Sequence, residues 1–284
     1  MRTSIHAAAV VVALTAAVPA CAQWPPNLSG VPKTADSKPD LTAPTPRMPD
    51  GKPDFSGVWD AIRMGGGRGG RGAAQAPGTP PPAPTPPPPD GPPLATFGNI
   101  AANMKDGAPL QPWAAELLAK RKGENSKDNP DAHCLPMGLM QFHEHPQPRK
   151  IIQTPKELVI IYEANYGLRQ IYLDGRSLPG KDAEPWWFGY SAGHWEGDTL
   201  VVETTGYRDD VWLDVQGTPM TSAARTIERF RRPNYGTMQI DVTIDDPKVF
   251  TKPFTVRVDH RLSRDSELME FICQDRDAPH YVGK

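Results

Sequence analysis

Between residues 186 and 207, β-favouring apolar and polar positions alternate on both sides of Gly197-Asp198, a pair that signals a two-residue hairpin turn. If Glu196 faces Thr199 across that turn, His194 lies opposite Val201, Ala192 opposite Glu203 and Tyr190 opposite Thr205, all on one face. The reverse face carries Ser191, Trp195, Leu200, Val202 and Thr204 and is apolar enough to be core. From residue 149 onward the short period repeats over 150–153, 157–163, 168–174, the hairpin, 225–232, 238–244, 254–262 and 268–273. Asn165-Tyr-Gly167, Asp174-Gly175, Pro233-Asn-Tyr-Gly236, Asp245-Asp-Pro247 and residues 263–266 supply turn chemistry between these runs. The pattern predicts a mainly β domain: an antiparallel meander forming a sandwich or a barrel. The barrel is preferred because it leaves no long exposed edges.

The first half is organised differently. Residues 1–22 have a basic start, an apolar run from Ala7 to Val18 and Ala20-Cys21-Ala22, the form of a signal peptide cleaved before Gln23. A second reading makes Cys21 the acylated first residue of a lipoprotein, but Pro19 fits that poorly. Residues 23–50 lack an apolar period and read as an extended leader. Residues 51–62 hold the first strand, anchored by Phe55 and Trp59. Residues 63–98 carry a Gly/Arg run and eleven prolines from Pro77 to Pro93, a composition expected to be a disordered insert. Within 99–133, Trp113, Leu117 and Leu118 and the basic end Lys120-Arg-Lys122 predict one amphipathic helix near 110–122. The β domain then occupies 134–284.

Composition narrows the choice of partner and compartment. A formal charge of -2 and a pI near 6.4 give no basic field for nucleic acid, even with the Gly/Arg run. The apolar run at the start is too short for a membrane span. With the leader removed at Gln23, Cys134 and Cys273 remain, and an even count in an oxidising compartment favours a disulfide over two buried thiols. The expected location is the periplasm.

Chemistry-bearing motifs are few. His143-Glu-His145, with His133 or His194 as a third donor, has metal-like spacing, but Pro146 and Pro148 make it a loop, and no metal or other cofactor is expected. Gly189-Tyr-Ser-Ala-Gly193 has the Gly-x-Ser-x-Gly spacing, but Ser191 lacks the strand-to-helix context that such a nucleophile requires. Arg169 shares a face with Ile171 and Leu173, which is odd for a solvated arginine, while Tyr172 and Asp174 share the other. An excess arginine facing a cavity would bind a carboxylate or phosphate. His260 falls among Phe254, Val256, Val258 and Leu262 and reads as a core histidine.

Four segments together carry a likeness: Gly-Lys-Pro-Asp-Phe-Ser-Gly-Val-Trp (51–59), Arg-Gln-Ile-Tyr-Leu-Asp-Gly-Arg (169–176), Trp-Glu-Gly-Asp-Thr-Leu-Val-Val (195–202) and Glu-Arg-Phe-Arg-Arg (228–232). In these the chain resembles an uncharacterised family of exported bacterial β-rich proteins, over about 51–62 and 109–275. Gly57-Val58-Trp59 is also similar to the Gly-x-Trp of lipocalin-like barrels. The resemblance implies export and a β-rich domain, and it supplies no reaction. Two functions follow from the residues. A small-molecule-binding module would use Trp186, Trp187, Tyr172, Tyr190 and Arg169 for a sugar or an aromatic or carboxylated ligand. A cofactor-independent hydrolase, lyase or isomerase would use His194 and Glu203 as a proton-transfer pair beside Tyr190 in the barrel mouth. Binding is the preferred expectation.

Overall fold

In a computed structural model, the described residues are 30–62, 91–180, 182–264, 266–271 and 273. The residues read as a signal peptide and most of the Gly/Pro-rich insert lie outside them. Nine strands form one closed barrel in chain order: β1 (Gly57–Ala61), β2 (Arg149–Gln153), β3 (Glu157–Tyr162), β4 (Leu168–Tyr172), β5 (Tyr190–Glu196), β6 (Thr199–Thr205), β7 (Arg225–Asn234), β8 (Thr237–Asp245) and β9 (Phe254–Leu262). Closure comes from β1, which pairs with β2 on one side and β9 on the other. No strand forms over 266–271, although the sequence pattern predicts one there, because β1 already occupies the free edge of β9.

The β5–β6 hairpin adopts the predicted register, with His194 opposite Val201 and Ala192 opposite Glu203. One junction departs from the expected meander: β4 and β5 run parallel. Residues 173–189 connect them, and a connection of that length can return the chain in the same direction, which a two-residue turn cannot do.

Two helices accompany the barrel. Helix α1 (Pro112–Gly123) starts on Pro112 and ends on Lys120, Arg121 and Lys122, which suits the negative end of its dipole. It docks shallowly, with only Ala114 buried. Helix α2 (Leu139–Glu144) is the opposite case, since all six of its residues are buried. His143 and Glu144 therefore end a helix, where Pro146 and Pro148 predict a loop; six residues are too few to display a helical period. The helix begins at Gly138, where an added Cβ would stand 2.2 Å from the Trp212 carbonyl oxygen, so only glycine fits. Met140 and Phe142 belong to the same buried cluster as Trp59, Leu158, Phe230 and Val258.

Outside the strands, two stretches are more ordered than their composition implies. Residues 93–95 lie along β9, with Arg257 N donating to Pro93 O and Ala95 N to Arg257 O. Leu94 and Ala95 are buried, so the insert's expected disorder does not extend to its end. Part of the leader forms a strap over the β7–β8 turn, where Tyr235 N and Gly236 N donate to Ala43 O and Leu41 O. The Cys134–Cys273 disulfide, with Cα atoms 5.6 Å apart, ties the tail back to the segment before α2. Closing so long a loop typically stabilises a fold by about 2–4 kcal/mol.

Candidate functional site

A fully buried ionic cluster lies where α2 enters the barrel. Glu228 projects inward from β7 and is met by the Arg169 guanidinium from β4, which donates Nη1 to Oε1 at 2.9 Å and Nη2 to Oε2. His143, from α2, lies 2.7 Å from the same Oε1 through Nε2. Arg169 also donates to Ser191 Oγ at 3.1–3.2 Å and to Thr204 Oγ1 at 3.1 Å, so its fork is enclosed by β5 and β6. Burial alone would raise the Glu228 carboxyl, but Arg169 and the His143 hydrogen bond outweigh it and hold the group well below the usual range. Burial pushes His143 down by more than Glu228 raises it. The resulting state is a carboxylate accepting from a neutral imidazole and an arginine.

A second arginine secures the end of α2. Arg149 donates to the carbonyl oxygens of His143, His145 and Gln147, the groups that a helix C-terminus leaves without intrahelical donors. Its Nη1 is also 2.8 Å from Nε2 of His260, which is itself buried and held well below its ordinary pKa by burial and the Arg149 charge.

These contacts place each residue singled out from the sequence. Arg169 points inward, and the carboxylate it takes is the chain's own Glu228. His194 and Glu203 share the outer face as the register requires, and each makes its hydrogen bond to another neighbour. The His194 ring is exposed and 3.4 Å from Glu196, while Glu203 accepts from Arg225 Nε at 2.5 Å. Tyr190 is brought to Trp186 and Tyr172, with ring centroids 5.3 and 5.2 Å apart, and Arg176 lies 3.7 Å over Tyr172. The four histidines weighed for metal have separate neighbours: His143 contacts Glu228, His145 packs edge-on against Phe97, His133 contacts the Lys127 carbonyl and His194 lies near Glu196.

Trp187 reaches a concavity outside the barrel. A cleft of about 390 Å³ lies between α1, the turn at Pro130–His133 and the loop after β6, walled by Trp187, Trp212, Leu117 and Leu135. Asp214 shapes that loop by accepting from Gly217 N, Thr218 N, Thr218 Oγ1 and Ile100 N. Arg121 joins α1 to it, stacking 4.2 Å over Trp212 and donating to Gly217 O at 2.7 Å. Arg208 lies 4.5 Å over Trp187 and donates to Asp210 at 2.9 Å. Lys120 and Arg121 face Glu124, Asp128 and Asp210 around the rim, so charges of both signs line it. Of this group the sequence pattern marks only Trp187 as a ligand-binding residue, because the others come from segments remote in the chain.

No helix among the described residues is long and apolar enough to cross a membrane. No known protein-family model matches the chain, and no curated protein matches it; of the family likeness, the closed, mostly antiparallel barrel is what the structure bears out.

Proposed function

We propose that this protein is a small-molecule-binding β-barrel whose ligand is a neutral, hydroxyl-rich ring compound, a sugar of one or two rings, held in the α1 cleft. The observation that carries this reading is the pairing of two tryptophan walls with a rim of mixed charge in a concavity of about 390 Å³, within the range of about 300–1,000 Å³ usual for small-ligand sites. The half-buried Trp187 indole suits the apolar face of a sugar ring, with the buried Trp212 backing the cleft, and the rim carboxylates and cations can hydrogen-bond hydroxyls. A rim of both signs gives an ionic ligand little long-range attraction. The barrel interior is a poorer candidate because α2 and the arginine cluster occupy it. The disulfide favours an oxidising compartment, consistent with export to the periplasm.

Titration of the full chain with a panel of mono- and disaccharides, followed by tryptophan fluorescence, tests the proposal. A saturable change is expected for at least one sugar, with Trp187→Ala weakening binding tenfold or more and Trp113→Ala, outside the cleft, leaving it unchanged. Absence of any saturable change, or equal binding by Trp187→Ala and Asp210→Asn, would refute it.

A further inference from the structure

Arg232 is 6% exposed and forms no salt bridge among the described residues, the Asp54 carboxylate acting on it only at longer range. Its guanidinium lies between two rings, 4.8 Å from the centroid of Trp59 and 5.3 Å from that of Tyr235. Nη1 donates to Asp54 O and Nη2 to Tyr235 O at 2.5 Å, while the buried Nε has no acceptor. A neutral carbonyl satisfies a hydrogen bond but does not neutralise the charge, so a buried cation remains in this wall of the barrel. Burial draws its pKa down to about 10, which leaves it fully charged near neutrality.

The same arginine lines a pocket of about 260 Å³ between the leader strap, β1 and the segment after β9. Lys150 and Arg264 also line it, alongside the carboxylates Asp54 and Glu267. Lys150 pairs with Glu267 at 3.1 Å, and both are about two-fifths exposed, so the pair is open to competition. The Ser263 hydroxyl adds a neutral donor, and Val58 and Leu262 give the pocket an apolar side.

We propose that this pocket is a binding site for a small oxyanion, a carboxylate or phosphate attached to a short apolar body. The ligand supplies the direct counter-charge that Arg232 lacks and displaces Glu267 from Lys150. Guanidinium groups match both oxyanions geometrically. This site is separate from the tryptophan cleft, so the two classes of ligand are independent.

Calorimetric titration of the full chain with sodium phosphate, sodium benzoate and sodium chloride at matched ionic strength tests the site. Saturable binding of phosphate or benzoate, at a Kd of about 1 mM or tighter, with no saturable binding of chloride, is expected. Preference for benzoate assigns a carboxylate ligand and preference for phosphate a phosphate ligand. Glu267→Gln frees Lys150 and is expected to tighten binding about threefold or more, while Lys150→Gln weakens it by a similar factor; both positions are surface-accessible, so the fold survives. Arg232→Met is expected to abolish binding where it folds. Equal response to chloride, no saturable binding, or oxyanion binding that neither surface variant changes would overturn the proposal.

Discussion

The molecule contains two combinations of histidine and glutamate, one inside the barrel and one outside, and they behave differently. Inside, His143 and Glu228 are 2.7 Å apart, fully buried and joined by Arg169. Outside, His194 and Glu203 share a face, yet each has its own neighbour, Glu196 for the imidazole and Arg225 for the carboxylate. The residue types are the same, and the surroundings decide what they do. In water, each group is solvated and pairs with whatever is adjacent at little gain. In the interior an unpaired charge is costly, and here the three groups are fixed by one another.

The strongest way to break the inner arrangement is to remove its negative charge. Glu228→Gln leaves Arg169 buried without a counter-charge and is expected to destabilise the fold by about 3–5 kcal/mol, read from urea unfolding. The double variant Arg169→Met with Glu228→Leu should recover most of that loss, because both charges leave together. A double variant as unstable as Glu228→Gln would mean that shape rather than charge balance holds the cluster.

Acid should separate the two regions next. The folded-state pKa values of His143 and His260 lie below the ordinary 6.5, so the unfolded chain takes up protons first as pH falls. Stability is therefore full above about pH 6.5 and is lost as pH drops below it, by about 1.4 kcal/mol per pH unit for each buried histidine. Urea unfolding at pH 7.5, 6.5 and 5.5 checks this, and His260→Asn should reduce the slope by about one proton. The window lies above the ordinary carboxylate range, so Glu228 does not contribute to it. A flat profile in the parent protein would contradict the neutral state of the buried imidazoles.

The smallest effect is expected outside. Glu203→Gln removes a half-exposed pair with Arg225 and should change stability by less than about 1 kcal/mol. His194→Ala should leave the unfolding midpoint unchanged. A large loss from either would show that the outer face is covered by something that makes those charges matter.

Much of the barrel was legible in the chain. Period-two alternation marked β2 to β9, and Gly197-Asp198 set the β5–β6 register residue by residue. The missing strand near 268–273 shows the limit of that reading, since a strand needs a free edge and β9 had given its own to β1. The parallel β4–β5 junction was also not readable, because residues 173–189 permit either direction. Arg169 gave a usable signal by sharing a face with Ile171 and Leu173, but its partner lies 59 residues away. Helix α2 gave almost none.

The sequence by itself determined local matters: where strands begin and turn, which residues share a face and how α1 ends. Each depends on neighbours a few residues apart, whose backbone preferences and side-chain period are written in order along the chain. Tertiary structure decided which shared face is solvated, that α2 fills the barrel, and that Glu228 rather than a ligand meets Arg169. Those outcomes depend on closure, which encloses one face of every strand at once and brings His143 to a carboxylate 85 residues away, where the low dielectric makes pairing obligatory.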